Sequence, residues 1–174
     1  MKIRDQRRDE VLARVVNHLI VEGLAAGSLR QIARATGTSD RMLLYYFRDK
    51  DELMTEALSA IAARLAAMLE AASSSERTDF ATLLHQLRGV MRSDAFRPFM
   101  RLWLELCARA VGCEEPYRAI GAAIADGFID WAEQRLAGAP QERRAQAALL
   151  VATIDGLALL DAVGRGDIAD PAIG

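Results

Sequence analysis

Apolar residues recur along this chain at three- and four-residue intervals and almost nowhere alternate, so the pattern predicts helices throughout. Val11, Leu12, Val15, Val16, Leu19 and Ile20 mark one side of a first helix, and Gly23 is a plausible stop. Ser28 suits the N-cap of a short second helix that buries Leu29, Ile32 and Ala33. Gly37 breaks the chain, and Thr38 or Ser39 can cap a third helix running to Phe47. Asp49, with Glu52 three residues later, has the spacing of a capping box. It opens a long fourth helix marked by Leu53, Ala57, Leu58, Ile61, Leu65, Met68 and Leu69.

The tract Ser73-Ser74-Ser75 interrupts this pattern and reads as a linker. A fifth helix carries Phe80, Leu83, Leu84, Leu87 and Met91, and Pro98 sits near the start of a sixth, where a missing N–H is tolerated. In that sixth helix Arg101, Glu105 and Arg109 form a single charged stripe, and nearly everything else is apolar, which predicts a central position. Pro116 opens a seventh helix ending near Gly138, and an eighth runs from about Gln141 to Val163. The expected fold is all-α, with a helix-turn-helix head over residues 1–52 and a helical body over 53–174, helix four bridging the two.

Composition narrows the classes. The chain has 174 residues and is 52% hydrophobic, enough for a sizeable core. No apolar run approaches the roughly 18 residues of a membrane span. No apolar segment follows Lys2, Arg4, Arg7 and Arg8, so no signal peptide is read there and the expected location is cytoplasmic. Cys107, Cys113, His18 and His85 have neither the number nor the spacing of a disulfide framework or a zinc site, so no metal or cofactor is expected. Neither His has a neighbouring nucleophile, no glycine loop suits a phosphate, and most carboxylates fall on solvated stripes, so the chain does not read as an enzyme. Net charge is −2, but residues 1–52 hold 10 Lys/Arg against 8 Asp/Glu while residues 53–174 hold 12 against 16. Only the first part has the sign that suits phosphates.

Ser28 to Leu53 carries the functional signal. Ala33, Gly37 and Leu43 fall at helix-turn-helix spacing: a small residue where helices touch, a glycine at the turn, and an apolar anchor for the second helix. Arg41 can pair with guanine O6 and N7 and Asp40 can accept from cytosine N4; alternatively Asp40 complements the helix N-terminus and restrains Arg41. Arg4, Arg7 and Arg8 suit a flexible arm along the DNA backbone. The wider segment resembles the DNA-binding domain of the tetracycline-repressor (TetR) family. The residues that carry the resemblance are Ser28, Ile32-Ala33, Thr36-Gly37-Thr38-Ser39, Leu43-Leu44-Tyr45-Tyr46-Phe47 and Lys50-Asp51-Glu52-Leu53. The match spans roughly residues 10–58, and Ile154-Asp155-Gly156-Leu157 is similar to the family's last helix.

That resemblance implies DNA contacts by Ser28, Arg30, Thr38, Ser39, Asp40, Arg41, Tyr45, Tyr46 and Lys50. Ser28, Tyr45, Tyr46 and Lys50 would meet phosphates, Lys50 beside the free N–H groups that open helix four. Phe47 is read as filling the head's core, which is the other reading of Tyr45. Tyr46 stands where the family has histidine, Leu44 replaces an aromatic, and Asp40-Arg41-Met42 departs from the common pattern.

In the body, small residues on helices seven and eight suit close helix approach. The resemblance implies a homodimer built there, with Gly121, Ala125, Ala148, Ala152 and Gly156 as interface candidates; packing within one chain would use the same residues. Residues 170–174 follow soon after helix eight, where many family members continue, so part of the usual interface is expected to be abbreviated. Met68, Met91, Phe99, Trp103, Cys107, Phe128 and Trp131 supply adaptable and aromatic surface for a ligand cavity, or core. The resulting expectation is a sequence-specific transcription regulator, a repressor that a small, largely apolar effector releases from a double-stranded operator. The alternative is a helical DNA-binding or adaptor protein without ligand control.

Overall fold

The structure, a computed structural model, describes residues 2–73 and 76–169. Ser74 and Ser75 of the serine tract, and residues 170–174, lie outside the described residues. In order the helices are α1 (Lys2–Glu22), a single 3-10 turn (Leu24–Ala26), α2 (Leu29–Thr36), α3 (Asp40–Tyr46), α4 (Lys50–Ala72), α5 (Phe80–Met91), α6 (Arg97–Val111), α7 (Tyr117–Arg135), α8 (Pro140–Ala162) and α9 (Gly166–Ala169). The fold is all-α. The eight helices read from periodicity are all present, whereas α9, four residues long, has no periodicity to read.

The chain divides into two compact units, Met1–Arg64 with Arg101–Gly121, and Leu65–Met100 with Ala122–Gly174. In the first unit α1 is the spine, burying Val11, Val15, Val16 and Leu19 at helical spacing. Ile32 and Ala33 of α2, Leu43 of α3, Phe47, and Leu53, Met54, Ala57 and Leu58 of α4 are also buried there. The C-terminal end of α1 is held from α6. Arg101 donates to the carbonyls of Ile20 and Val21 at 3.0 and 2.8 Å, and the Glu105 carboxylate accepts from the Leu24 N–H just beyond. Gly23, between them, has φ 86° and ψ 179°, a backbone region only glycine adopts readily. A Cβ there would lie 2.6 Å from Glu105 Oε1, so the reversal needs glycine for space as well as for conformation. The charged stripe of α6 therefore serves inside this unit: Arg101 and Glu105 bracket the end of α1, and Arg109 pairs with Glu114 at 3.0 Å.

The second unit is centred on α5, α7 and α8, with Leu83, Leu84, Leu87, Ala132, Leu136, Ala147 and Leu150 buried. Asp79 caps α5, accepting from Thr82 N at 3.0 Å. The residues before it join the end of α7 by an isolated bridge, Thr78 N to Arg135 O and Ala137 N to Thr78 O, both 2.8 Å. Arg135 is buried, ion-pairs with Glu70, donates to Ser73 Oγ and lies over the Trp131 ring at 4.2 Å. Near the other end of α8, Asp161 faces Arg88 of α5 and Arg92 just after it, at 3.5 and 3.6 Å.

Candidate nucleic-acid interface

The turn between α2 and α3 is built from local rules. Gly37 is left-handed at φ 67°, its N–H reaching Arg34 O at 3.4 Å, while Thr38 N reaches Ala33 O at 2.9 Å. These are the two bonds of a Schellman ending. Nothing lies within 4 Å of where a Cβ on Gly37 would stand, so glycine is needed here for φ alone. Ser39, not Thr38, caps α3, its hydroxyl accepting from Met42 N at 3.2 Å. The helix inserts Leu43 into the core, Phe47 follows it inward, and most of α3 is left facing solvent. Asp40, Arg41, Met42, Leu44 and Tyr45 are all exposed, Tyr46 is half-buried, and no ion pair joins Asp40 to Arg41 among the described residues.

The flexible arm expected at the N-terminus is corrected. α1 is helical from Lys2, and two of the three arginines are used inside the head. Arg8 donates from Nε to Tyr46 O at 3.2 Å, ion-pairs with Glu56 of α4, and lies over the Phe47 ring at 4.6 Å. Arg4 donates to Tyr45 O at 3.4 Å and covers the Tyr45 ring at 4.8 Å. Further along α1, Arg14 donates to Thr36 O, at the end of α2, at 3.1 Å. A helix end leaves carbonyls without partners, and here arginines of α1 satisfy them. Arg7 is exposed and lines a cavity of about 180 Å³ with Glu10, Val11, Arg14, Thr36, Gly37, Thr38, Met42 and Tyr46. Met42 and Tyr46, one helical turn apart, put one side of α3 along that cavity, with Thr38 just before it.

The remaining candidates lie at helix starts. Ser28 caps α2, its hydroxyl accepting from Gln31 N at 3.3 Å and donating to the Gln31 amide oxygen. Its only proton is thus in use, and a phosphate taking it must displace Gln31. Arg30 is exposed, and so is Lys50, the first residue of α4. Asp49 Oδ1 accepts from Glu52 N at 2.8 Å as the capping box requires, but Glu52 reaches back to the N–H of Arg48 instead of that of Asp49. The Arg48 guanidinium, and then the Glu52 N–H, hold the Asp49 carboxyl below its ordinary value of 3.8. The cap is fully present above that ordinary value and is lost as the pH falls through the lowered one. Tyr45 is 55% exposed, with its ring edge-on to Tyr46 at 5.4 Å, so it does not fill the core; Phe47, at 2%, does.

The other two sets are less gathered. Of the ligand candidates, Met68, Met91, Phe99, Phe128 and Trp131 belong to the second unit, Trp103 and Cys107 to the first. Phe99 is buried, and Trp131 donates its indole N–H to Glu70 at 3.2 Å. Of the interface candidates, Gly121 is buried, and a Cβ there would meet Leu106 Cδ2 at 2.9 Å, so its small size serves packing within the chain. Ala125 is half-buried; Ala148, Ala152 and Gly156 are exposed on α8. Sequence reading missed the helix-capping arginines and the exposed Met42 and Leu44, the first because their partners are dozens of residues away.

Residues 16–57 match a family model described as bacterial regulatory proteins, tetR family. Comparison with curated proteins gives no match. Among solved structures, the chain is similar to a transcriptional regulator from Rhodococcus sp. Rha1, at 26% identity and TM-score 0.70, covering 92% of this chain and 86% of that one. It is also similar to the multidrug binding protein EbrR complexed with proflavin, at 27% identity and TM-score 0.65, covering 88% and 86%. A transcriptional regulator from Saccharomonospora viridis in complex with choline shares the fold at 19% identity and TM-score 0.67, covering 92% and 88%.

The bracing of α3 by α1 is testable without DNA. Arg8→Ala removes a charged hydrogen bond, a partly buried ion pair and a ring contact, and is expected to lower unfolding stability by about 1–2 kcal/mol. Arg4→Ala, at an exposed position, is expected to change it by less than about 0.5 kcal/mol. Urea titrations of the two variants would contradict the brace if their midpoints coincided.

Proposed function

We propose that the chain, whose residues 16–57 match the tetR-family model, is a homodimeric repressor of that family whose release from its operator is controlled by a small, largely apolar ligand. The observation that carries the DNA-reading half is α3 itself, held by Leu43 alone in its middle and exposing Asp40, Arg41 and Tyr45 beside the Lys50 start of α4. That arrangement suits a helix entering the major groove with cations and hydroxyls at its flanks. Lys50 and Tyr45 are assigned to phosphates, with Ser28 and Arg30 at the start of α2; Arg41 is assigned to a base.

Two-fold association is supported by the outer face of α8. Ala145, Leu149, Ala152, Gly156, Leu159 and Val163 are all exposed and follow one another at spacings of four, three, four, three and four residues. That spacing, carried to Val163 just beyond the helix, suits one that packs along another helix over about 27 Å. By length and composition α8 could also cross a membrane, with only 17% of its most apolar window buried. A second copy of the same helix accounts for that exposed face in a DNA-reading protein, since paired heads need paired half-sites. Ala148, Ala152 and Gly156 would lie at or beside the seam, with Ala125 of α7 as a further candidate.

Ligand control is supported by EbrR, which binds proflavin, and by the methionine and aromatic side chains of the body. The effector would prefer the conformation whose reading heads fit the operator poorly, because only differential affinity shifts such an equilibrium. Helices α4, α6 and α7 each contribute residues to both compact units, so displacement in the body can reach the head along three helices.

Three outcomes follow. Lys50→Ala and Tyr45→Phe should weaken binding to every duplex alike, Lys50→Ala lowering the slope of log affinity against log salt by about 1, whereas Arg41→Ala should relax preference at one base pair by about 1–3 kcal/mol. Competition binding over a panel of duplexes separates the two; an unchanged ranking with Arg41→Ala removes it as a base reader. Sedimentation at micromolar concentration should give a dimer, reduced to a folded monomer by Leu149→Glu or Gly156→Glu, and a wild-type monomer would refute the seam. Titration with proflavin, followed by tryptophan fluorescence, should lower operator affinity by about 5- to 150-fold at saturation. Saturable binding with no loss of operator affinity would break the coupling.

A further inference from the structure

Large apolar side chains are exposed mainly on two helices. On and just after α8 these are Leu149, Leu159, Leu160 and Val163, and the second copy proposed above covers that helix. On α3 they are Met42 at 38%, Leu44 at 46% and Tyr45 at 55%, within four consecutive positions of a seven-residue helix. A surface helix ordinarily turns polar residues outward, so this face has the wrong character for water. At about 100° per residue, Arg41 and Tyr45 lie opposite the buried Leu43, and Met42 and Leu44 lie to either side of them. Tyr45 is already engaged, with Arg4 over its ring at 4.8 Å and Tyr46 against its edge. Met42 is 38% exposed and also lines the cavity beside α1. Two partly exposed apolar side chains therefore lie on either side of the face that carries the Arg41 guanidinium.

The surroundings say what fits there. Arg30, Asp40, Arg41, Arg48 and Lys50 are all exposed in the same short stretch. Four cations against one carboxylate suit a polyanion rather than an apolar protein partner. In the DNA major groove, base edges present hydrogen-bonding groups throughout, with one apolar exception, the C5-methyl of thymine. Resting on the DNA-reading role of α3 proposed above, we infer that Met42 and Leu44 are specificity-determining residues that pack against thymine methyl groups, on either side of the base pair that Arg41 reads. Neither side chain can donate or accept a hydrogen bond of ordinary strength, so each selects by contact with a methyl and by leaving the polar edges of other bases without a partner. The operator half-site then holds thymines next to the Arg41 position, and their methyl groups matter more than their carbonyl oxygens.

The test begins by finding the operator. Duplexes are selected from a random library with the full chain, and the preferred sequence is resynthesised with deoxyuridine replacing thymidine one position at a time. This removes a methyl and leaves every hydrogen-bonding group in place. At one or more positions in each half-site, deoxyuridine should weaken binding about three- to fivefold, the scale of one buried methyl. The loss should disappear at one position with Met42→Ala and at another with Leu44→Ala. Both residues are exposed, so neither substitution threatens the fold. If every deoxyuridine duplex binds within a factor of about two of the parent, methyl reading is overturned while the DNA-reading role stands. Deoxyuridine losses that persist unchanged in both variants also overturn it, assigning the methyl contact to other residues. Self-association abolished by Leu44→Ala in the absence of DNA would give the face to a second copy instead. A library in which nothing is enriched would refute the DNA-reading role itself, and the inference with it.

Discussion

Short helices cannot stand on their own propensity, and in the head of this protein their C-terminal carbonyls are the groups most in need of partners. With eight and seven residues, α2 and α3 fall well below the roughly 12–15 at which an isolated helix becomes even marginal. The solution recurs four times with one side-chain type. Arg14 reaches Thr36 O at the end of α2, Arg4 and Arg8 reach Tyr45 O and Tyr46 O at the end of α3, and Arg101 reaches Ile20 O and Val21 O at the end of α1. A guanidinium suits this use: it offers several donors, so that Nη2 of Arg101 alone reaches two adjacent carbonyls, its charge complements the negative end of a helix, and its stem packs on apolar surface. The orientation of α3, and hence the DNA-reading geometry, rests on these contacts as much as on Leu43.

This explains which parts of the fold were legible in the sequence. Caps and turns are decided within four residues, so Ser28, the Gly37 ending and the Asp49-to-Glu52 box could be read directly. Choosing Ser39 over Thr38 needed the structure, because Thr38 spends its N–H on the Schellman bond to Ala33. Arg4 and Arg8 were read by charge alone and assigned to an arm, since the carbonyls they bind lie 41 and 38 residues away. Gly121 shows the same limit from the other side: a small residue at helical spacing suits a subunit seam or a neighbour in its own chain equally well, and Leu106 settles its packing only in three dimensions.

The site divides in the same way. Exposure of Asp40, Arg41, Tyr45 and Lys50 followed from placing Leu43 and Phe47 inward, which periodicity alone predicts. What was not legible is the state of the hydroxyl on Ser28, already donated to Gln31. Binding a phosphate there exchanges one hydrogen bond for another, so its gain lies in replacing an amide acceptor by a charged one, a difference of about 1 kcal/mol at most. In the contact proposed for it, Lys50 would make no such exchange and would contribute its charge directly. In the body, Trp131 is bonded to Glu70 and stacked under Arg135, tying the end of α4 to the end of α7. Its emission therefore reports that junction as well as any neighbouring ligand.

Of the departures from the common tetR-family pattern, Tyr46 is half-buried, whereas Asp40, Arg41, Met42 and Leu44 are all exposed. This follows from how α3 is held. A helix braced through its backbone carbonyls by Arg4 and Arg8, and through one inward leucine, places almost no demand on its outward residues. Substitution there changes which bases are read at little cost in stability, because exposed positions away from caps and core contribute only a few tenths of a kcal/mol. On the proposed reading role, stability and reading are carried by different atoms of one short helix, the main chain and Leu43 for the first, the outward side chains for the second. Such a division allows one scaffold to acquire new operators one residue at a time.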